Sequence, residues 1–318
     1  MIFVLASNGV ARAQVVINEI HYHPVENPAF DAAGNPLLDL TEDVHEFVEL
    51  HNAGSAAVDL SGWELSGAIS FNFPAGTTIP AGGYKVVAKN PARLQTVYGA
   101  TGVLGPYSNW LSNKADTVKV KDGAGTAVDS VSYSSTFPWP GTADGLGADQ
   151  DFTLINRAPY QYKGRSLERF SATYAGNAPE NWLASPLASG PTPGGPNTAR
   201  GLTPKPIVTA FSVGQLSDEA PVIRQNQAVR VIFTFSPSAP PPSGLEIQYF
   251  REDVNSFTEA RNSIAATDVG NGVFSATLPG QLDRSVVRWR IRANFGAGLE
   301  TVSPRPDDVA LVPTAATV

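Results

Sequence analysis

From Val15 onward apolar and polar residues alternate with a period of two, the pattern of strands, whose successive side chains point to opposite faces. The clearest runs predict strands at Val15–Tyr22, Glu46–Asn52, Val58–Leu65, Tyr84–Ala88, Thr117–Lys121 and Ala127–Tyr133, with Gly-, Pro- and Asn-rich turns between them. Short strands at such intervals read as an antiparallel sandwich or barrel. Asp122-Gly123-Ala124-Gly125 supplies residues that tolerate positive φ, so the strands flanking it are expected to form a hairpin. One helix is expected over Pro91–Tyr98, with Asn90 as its cap, Pro91 in the first position and Gly99 ending it.

Residues 184–206 are dense in Pro and Gly, hold no aromatic side chain after Trp182, and show no periodic apolar face, so they are expected to be an interdomain linker. Alternation then resumes. Val229, Val231, Phe233 and Phe235 share one strand face, as do Val287, Trp289, Ile291 and Ala293, which predicts a second β-sandwich over residues 207–313. Pro237 and Pro240 to Pro242 exclude the loop Ser236–Ser243 from a sheet, because proline donates no ladder hydrogen bond. Arg288, Arg290 and Arg292 fall on the opposite face of their strand, either as a stripe for acidic polysaccharide or as an ordinary solvated face.

Composition sharpens this reading. A length of 318 residues favours two domains. Gly (29) and Pro (26) are abundant and only 16% of residues are charged, against roughly 25% in an average soluble protein, which favours turn-rich β structure. A net charge of −7 gives no footprint for phosphate backbones, so nucleic acid is not an expected partner. The absence of cysteine excludes disulfides, thiolate metal sites and thiol nucleophiles. No run reaches the ~18 apolar residues that a membrane-crossing helix needs. Residues 1–14 read as the remnant of a secretory signal, with Ala11-Arg12-Ala13 as a small-x-small cleavage site before Gln14, although a charged n-region is missing. The expected location is therefore secreted or cell surface.

Several motifs carry a family resemblance: VVINEIHYHP at Val15–Pro24, EFVELHNAGSAAVDLSGWELS at Glu46–Ser66, FPAGTTIPAGGYKVVAKNP at Phe73–Pro91 and LSNKADTVKVKDGAGTAVDSVSY at Leu111–Tyr133. Pro138-Trp139-Pro140, Asn181-Trp182 and Thr192-Pro193-Gly194 follow in order. Residues 15–197 resemble the bacterial lamin-tail domain family. The resemblance implies an immunoglobulin-like sandwich that serves as a non-catalytic accessory module of exported and surface proteins. Gly270–Phe274, Leu278-Pro279-Gly280 and Val287–Ala293 resemble the immunoglobulin- or fibronectin-like modules that follow lamin-tail domains, and Ser303-Pro304-Arg305-Pro306-Asp307-Asp308 is similar to the junction before a CotH-type domain. That second resemblance implies a fragment of a larger protein whose kinase-like part is absent.

Candidate chemistry is sparse. All four histidines lie between His21 and His51. If Val15–His23 and His45–Asn52 pair, Glu19, His21, Glu49 and His51 share one face, where imidazoles and carboxylates would suit a divalent metal such as calcium or zinc. The spacing matches no standard metal motif, and polar pairs on a solvated strand edge are the competing reading. Asp39, Glu42, Asp43 and Glu46 lack the calcium-loop pattern, as do Asp144, Asp149 and Asp151. No Gly-x-Ser-x-Gly elbow, Walker loop or dinucleotide fingerprint is present, so no catalytic residue is assigned. Trp63 is expected in the core, whereas Trp110 and Trp139, in loops, are candidates for a recognition surface. The expected function is a non-catalytic interaction or anchoring module that binds protein or a cell-envelope glycan. The alternatives are a structural spacer, or an accessory part of a CotH-type kinase or secreted hydrolase.

Overall fold

The computed structural model describes residues 14–24, 33, 43–143, 165–186, 189–201, 204–215, 225–237, 239–252, 260–282 and 285–305. The chain divides into two units, Met1–Pro204 and Lys205–Val318. It is an all-β protein with one α-helix among the described residues.

The first unit is a sandwich. Its larger sheet is built from β1 (Val15–His21), β2 (Phe47–Asn52), β7 (Tyr84–Ala88), β10 (Leu167–Arg169) and β11 (Trp182–Ala184), in the antiparallel order β11-β10-β1-β2-β7. The facing sheet has the order β5-β4-β8-β9, from β4 (Glu64–Gly67), β5 (Phe71–Asn72), β8 (Ala115–Lys121) and β9 (Ala127–Ser134). A two-stranded ribbon pairs β3 (Val58–Asp59) with β6 (Thr78–Ile79). Ile17, Ile20, Leu50 and Val87 from the larger sheet meet Leu65, Val118, Val120 and Val131 from the other in the core. There the Tyr22 and Tyr133 rings stack at 4.8 Å.

The expected strand Val58–Leu65 is interrupted. Asp59 accepts hydrogen bonds from both the backbone and the hydroxyl of Ser61, and Gly62 takes φ +74°, so the chain turns between β3 and β4. Trp63, just past this turn, is half-buried against the core. The hairpin β8–β9 forms around Asp122–Gly125, where Asp122 Oδ1 accepts from the Ala124 and Thr126 amides. The helix α1 (Pro91–Tyr98) also forms as expected: Asn90 caps it by accepting from Arg93 N, and Gly99 closes it in the left-handed region. Leu94 of α1 packs with Phe47, Val86 and Ala88 on the outer side of the larger sheet.

Both β1 and β2 are buried along their whole length, so the larger sheet is covered on both faces. A bulge between Ile17 and Glu19 breaks the β1–β2 ladder. Side chains satisfy the backbone on either side of it. Ile17 N donates to Asp129 Oδ2 (2.9 Å), and Arg169 Nη1 donates to Ile17 O (3.0 Å) and to Asp129 Oδ2 (2.6 Å). This ion pair joins β10 in one sheet to β9 in the other, with the side chains only 3% and 11% exposed. Arg169 also donates to the carbonyls of Ser171 and Tyr174.

The segment expected as a linker is partly structural. Ala184 ends β11, and residues 190–200 run over the outer face of the larger sheet. It shows no apolar periodicity because it is held by polar contacts.

In the second unit, β12 (Val208–Gln215), β13 (Val229–Phe235), β16 (Thr267–Gly270) and β17 (Val273–Leu278) form a sheet of order β12-β13-β17-β16. Facing it, β14 (Gly244–Arg251), β15 (Asn262–Ala265), β18 (Val287–Asn294) and β19 (Glu300–Ser303) form the order β15-β14-β18-β19. The core holds Val231, Phe233, Phe235, Ile291 and Ala293, and Trp289 packs against it half-buried. Arg288 pairs with Glu252, Arg292 with Glu246 and Glu300, and Arg290 donates to Gln248. The arginine face is thus a ladder of cross-strand pairs.

Replacing Asp129 should be costly. Asp129→Ala leaves the Arg169 charge buried and the Ile17 amide without its acceptor, so the first unit should lose about 3–5 kcal/mol, read as a lowered urea midpoint.

Candidate functional site

The pairing proposed for the histidine region exists: β1 and β2 are antiparallel neighbours, with Glu19 opposite Glu49 and His21 opposite Phe47. The same register separates the two histidines of the expected metal site. His51 stands opposite Val16 and His21 is five positions further along β1, roughly 16 Å away at ~3.3 Å per residue, so the two imidazoles cannot share an ion. Among the described residues no group of three or more His, Asp or Glu side chains is placed to hold a metal. The competing reading of a solvated strand edge fails as well, since Glu19, His21, Glu49 and His51 are all buried.

What occupies this face is a row of carboxyl groups. Glu168 on β10, Glu19 on β1 and Glu49 on β2 stand in direct cross-strand register. The segment 190–200 lies over them as a strap. Thr192 N (3.0 Å) and Thr192 Oγ1 (3.2 Å) donate to Glu19, which also accepts from the Ser166 hydroxyl (2.5 Å). Gly194 N (2.6 Å) and Asn18 Nδ2 (2.8 Å) donate to Glu49. The Thr198 hydroxyl and Ala199 N (3.1 Å) donate to Glu168. Asn197 completes the strap, donating to the carbonyls of Asn18 and Arg169. Burial is the main cause that raises the Glu19 pKa to about 7, and it likewise raises Glu49 well above the usual range and Glu168 above it.

The histidines flank this row. His21, with neither ring nitrogen hydrogen-bonded, packs edge-on against Phe47 (5.5 Å) and Tyr98 (6.2 Å). Burial, then the nearby His45 and His23, lower its pKa to about 3. His51 packs against Tyr84 at 4.7 Å, and burial followed by the Arg200 and Arg169 charges lowers its pKa to about 4. Both rings are neutral at pH 7 and serve as packing.

The two tryptophan candidates part company. Trp139 is 7% exposed, with its ring 6.0 Å from that of Trp182, and belongs to the core. It lies between the sheets, where its apolar area is removed from water, and so offers no recognition surface. Trp110 is 40% exposed, and Lys89 Nζ sits 3.7 Å from its ring centroid while donating to the Asn109 carbonyl (2.6 Å). The loop that presents Trp110 is rigidly seated. Gly105 takes φ +136°, and a Cβ there would come within 2.3 Å of the Ala88 carbonyl, so only glycine fits. Ser70 and Ser108 exchange backbone hydrogen bonds. Glu46 Oε2, from the buried end of β2, accepts from the Tyr107 hydroxyl (2.9 Å) and from Leu111 N (3.1 Å). Burial pushes the Glu46 carboxyl up to about 9, so it is protonated at neutral pH.

Residues 9–135 match the family model of the Lamin Tail Domain. No curated protein matches the chain. The lamin tail domain is an immunoglobulin-like sandwich, generally non-catalytic, and the two facing sheets described above have that architecture. In this lamin-tail-like unit the matched region ends before β10, β11 and the strap, so the carboxyl row draws Glu19 and Glu49 from inside the match and Glu168 from beyond it. Sequence reasoning did not find Glu168, Arg169 or Asn197, because their partners lie far away in the chain and only the unusual sequence Thr192-Pro193-Gly194 hinted at a packed segment. Of the acidic runs noted in the sequence, Asp43 accepts from Asn113 Nδ2. Asp39, Glu42, Asp144, Asp149, Asp151 and the expected signal segment 1–13 lie outside the described residues.

The titration of Glu46 has a definite sign. A carboxyl that ionises near 4.5 when unfolded but near 9 when folded contributes stability that is full below pH 4.5 and is lost as pH rises through about 9. Thermal melts of the wild type should therefore show a midpoint that falls as pH rises from about 4.5 towards about 9, and Glu46→Gln, which keeps the shape of the protonated acid, should flatten the part of that fall due to Glu46.

Proposed function

We propose that the chain is a non-catalytic interaction or anchoring module of an exported, surface-located protein, and that it binds a protein or a cell-envelope glycan. The observation that supports this reading most directly is Trp110, an exposed ring with a cation over one face, directly before Leu111, whose amide Glu46 holds. A rigid aromatic platform of this kind loses little entropy on stacking against a sugar ring or an apolar side chain. The Thr- and Pro-rich strap and the paired arginine face of the second unit offer no comparable exposed anchor. Under this reading the second unit is an immunoglobulin- or fibronectin-like module, and the two units fold independently. A larger protein of the CotH-associated kind would carry any catalytic part elsewhere.

The test is a glycan array and a pull-down from envelope material using the full chain, followed by Trp110→Ala. Loss of the Trp110 anchor should weaken binding by about 2 kcal/mol or more, some thirtyfold, while leaving the unfolding midpoint unchanged. Trp139→Ala, by contrast, should lower stability by about 3–5 kcal/mol because it opens a cavity beside Trp182. Binding that survives Trp110→Ala would remove this surface from the proposal, and no retained ligand from either source would favour the spacer reading.

A further inference from the structure

The carboxyl row and its strap carry an inference that does not depend on what the module binds. Three carboxyl groups stand in register on neighbouring strands, which lie about 4.8 Å apart, and like charges directly opposite one another are destabilising. Every donor to them is neutral: backbone amides of the strap, the hydroxyls of Ser166, Thr192 and Thr198, and the amide of Asn18. Five of the six carboxyl oxygens accept from these donors. The sixth, Glu168 Oε1, is buried and accepts from none of them. A buried row served only by neutral dipoles holds its full negative charge poorly.

We propose that residues 190–200 are a proton-dependent latch, closed over the sheet while the Glu168–Glu19–Glu49 row retains a proton and lifted from it when all three carboxyl groups ionise. Opening exposes a row of carboxylates to water, which solvates them far better than the strap does. Other groups on this face are His21 and His51 beside the row, Tyr84 on β7, and Arg200 on the strap itself. The two histidines are neutral throughout the range in which the row titrates. Arg200 donates to the Tyr84 hydroxyl (2.8 Å), so it opposes release without neutralising the row. Arg169 faces the other way, into its ion pair with Asp129. Raised carboxyl values on Glu19, Glu49 and Glu168 give the direction: the latch is firm in mild acid and loosens as rising pH strips the row of its protons, for as long as the closed row holds a proton that the open one releases.

The test is hydrogen exchange on the full chain between about pH 6 and about pH 9, corrected for intrinsic exchange, with the Thr192, Gly194 and Ala199 amides as reporters and the β8–β9 amides as control. One proton released on opening should lower strap protection by about tenfold per pH unit, while the hairpin stays protected. Glu168→Gln, which cannot ionise and takes one charge from the row, should lessen that slope. Should this variant fold poorly, the row can be followed by difference infrared spectroscopy in the Glu46→Gln background, where the protonated-carboxyl band should vanish with the same midpoint as strap protection. Flat protection across the range, parallel loss in β8–β9, an unchanged slope in Glu168→Gln, or no protonated-carboxyl band near pH 6 would each overturn the proposal.

Discussion

Burying a strand on both faces obliges the surrounding chain to satisfy whatever polar groups that strand carries, and β1 and β2 impose this demand on the whole first unit. Their inner face is apolar and needs only the opposing sheet. Their outer face carries Glu19, His21, Glu49 and His51, none of which meets bulk water. The helix α1 covers one end of that face with Leu94 and Tyr98, and the strap covers the other with amides and hydroxyls. Where the bulge at Ile17 opens the ladder, Asp129 and Arg169 close it from the facing sheet and from β10. The ion pair, the strap and the helix are thus separate answers to one requirement.

The sequence showed what is local. Period-two alternation located β1, β2, β7, β8 and β9, and turn chemistry located the hairpin, because strands and turns of this kind are decided within a few residues. Capping residues likewise set both ends of α1. The short strands β10 and β11 were missed, since three residues leave no period to read, and both are held by pairing to a strand near the other end of the unit. The clustering of Glu19, His21, Glu49 and His51 on one face was legible, but its meaning was not. Alternation cannot tell a polar face that meets solvent from one that meets a distant Thr-Pro-Gly segment.

Trp110 and Trp139 illustrate the same limit from the other side. Both follow a proline-containing loop, and neither lies in an alternating run that would mark it as core. Their fates are set by whether Trp182, more than forty positions on from Trp139, arrives to pack against the ring. Trp110 has no such partner and instead receives Lys89 over one face. Glu46 then matters for a reason unrelated to metal binding: as a protonated acid it fastens both sides of the loop that presents Trp110.

The span of chain that the strap bridges bears on how the first unit is made. Asn18 meets Asn197 across 179 positions, and Glu19 meets Thr192 across 173. Contacts so remote in sequence give a high contact order, which slows folding because loop closure must precede any gain from the contacts. During synthesis β1 emerges first, yet the groups that satisfy its outer face are the last of this unit to leave the ribosome. Until then three glutamates stay hydrated and the larger sheet stays one layer short. Completion of this unit is therefore a late event, and a chain released before residue 200 would present an unfinished sheet face to chaperones and proteases.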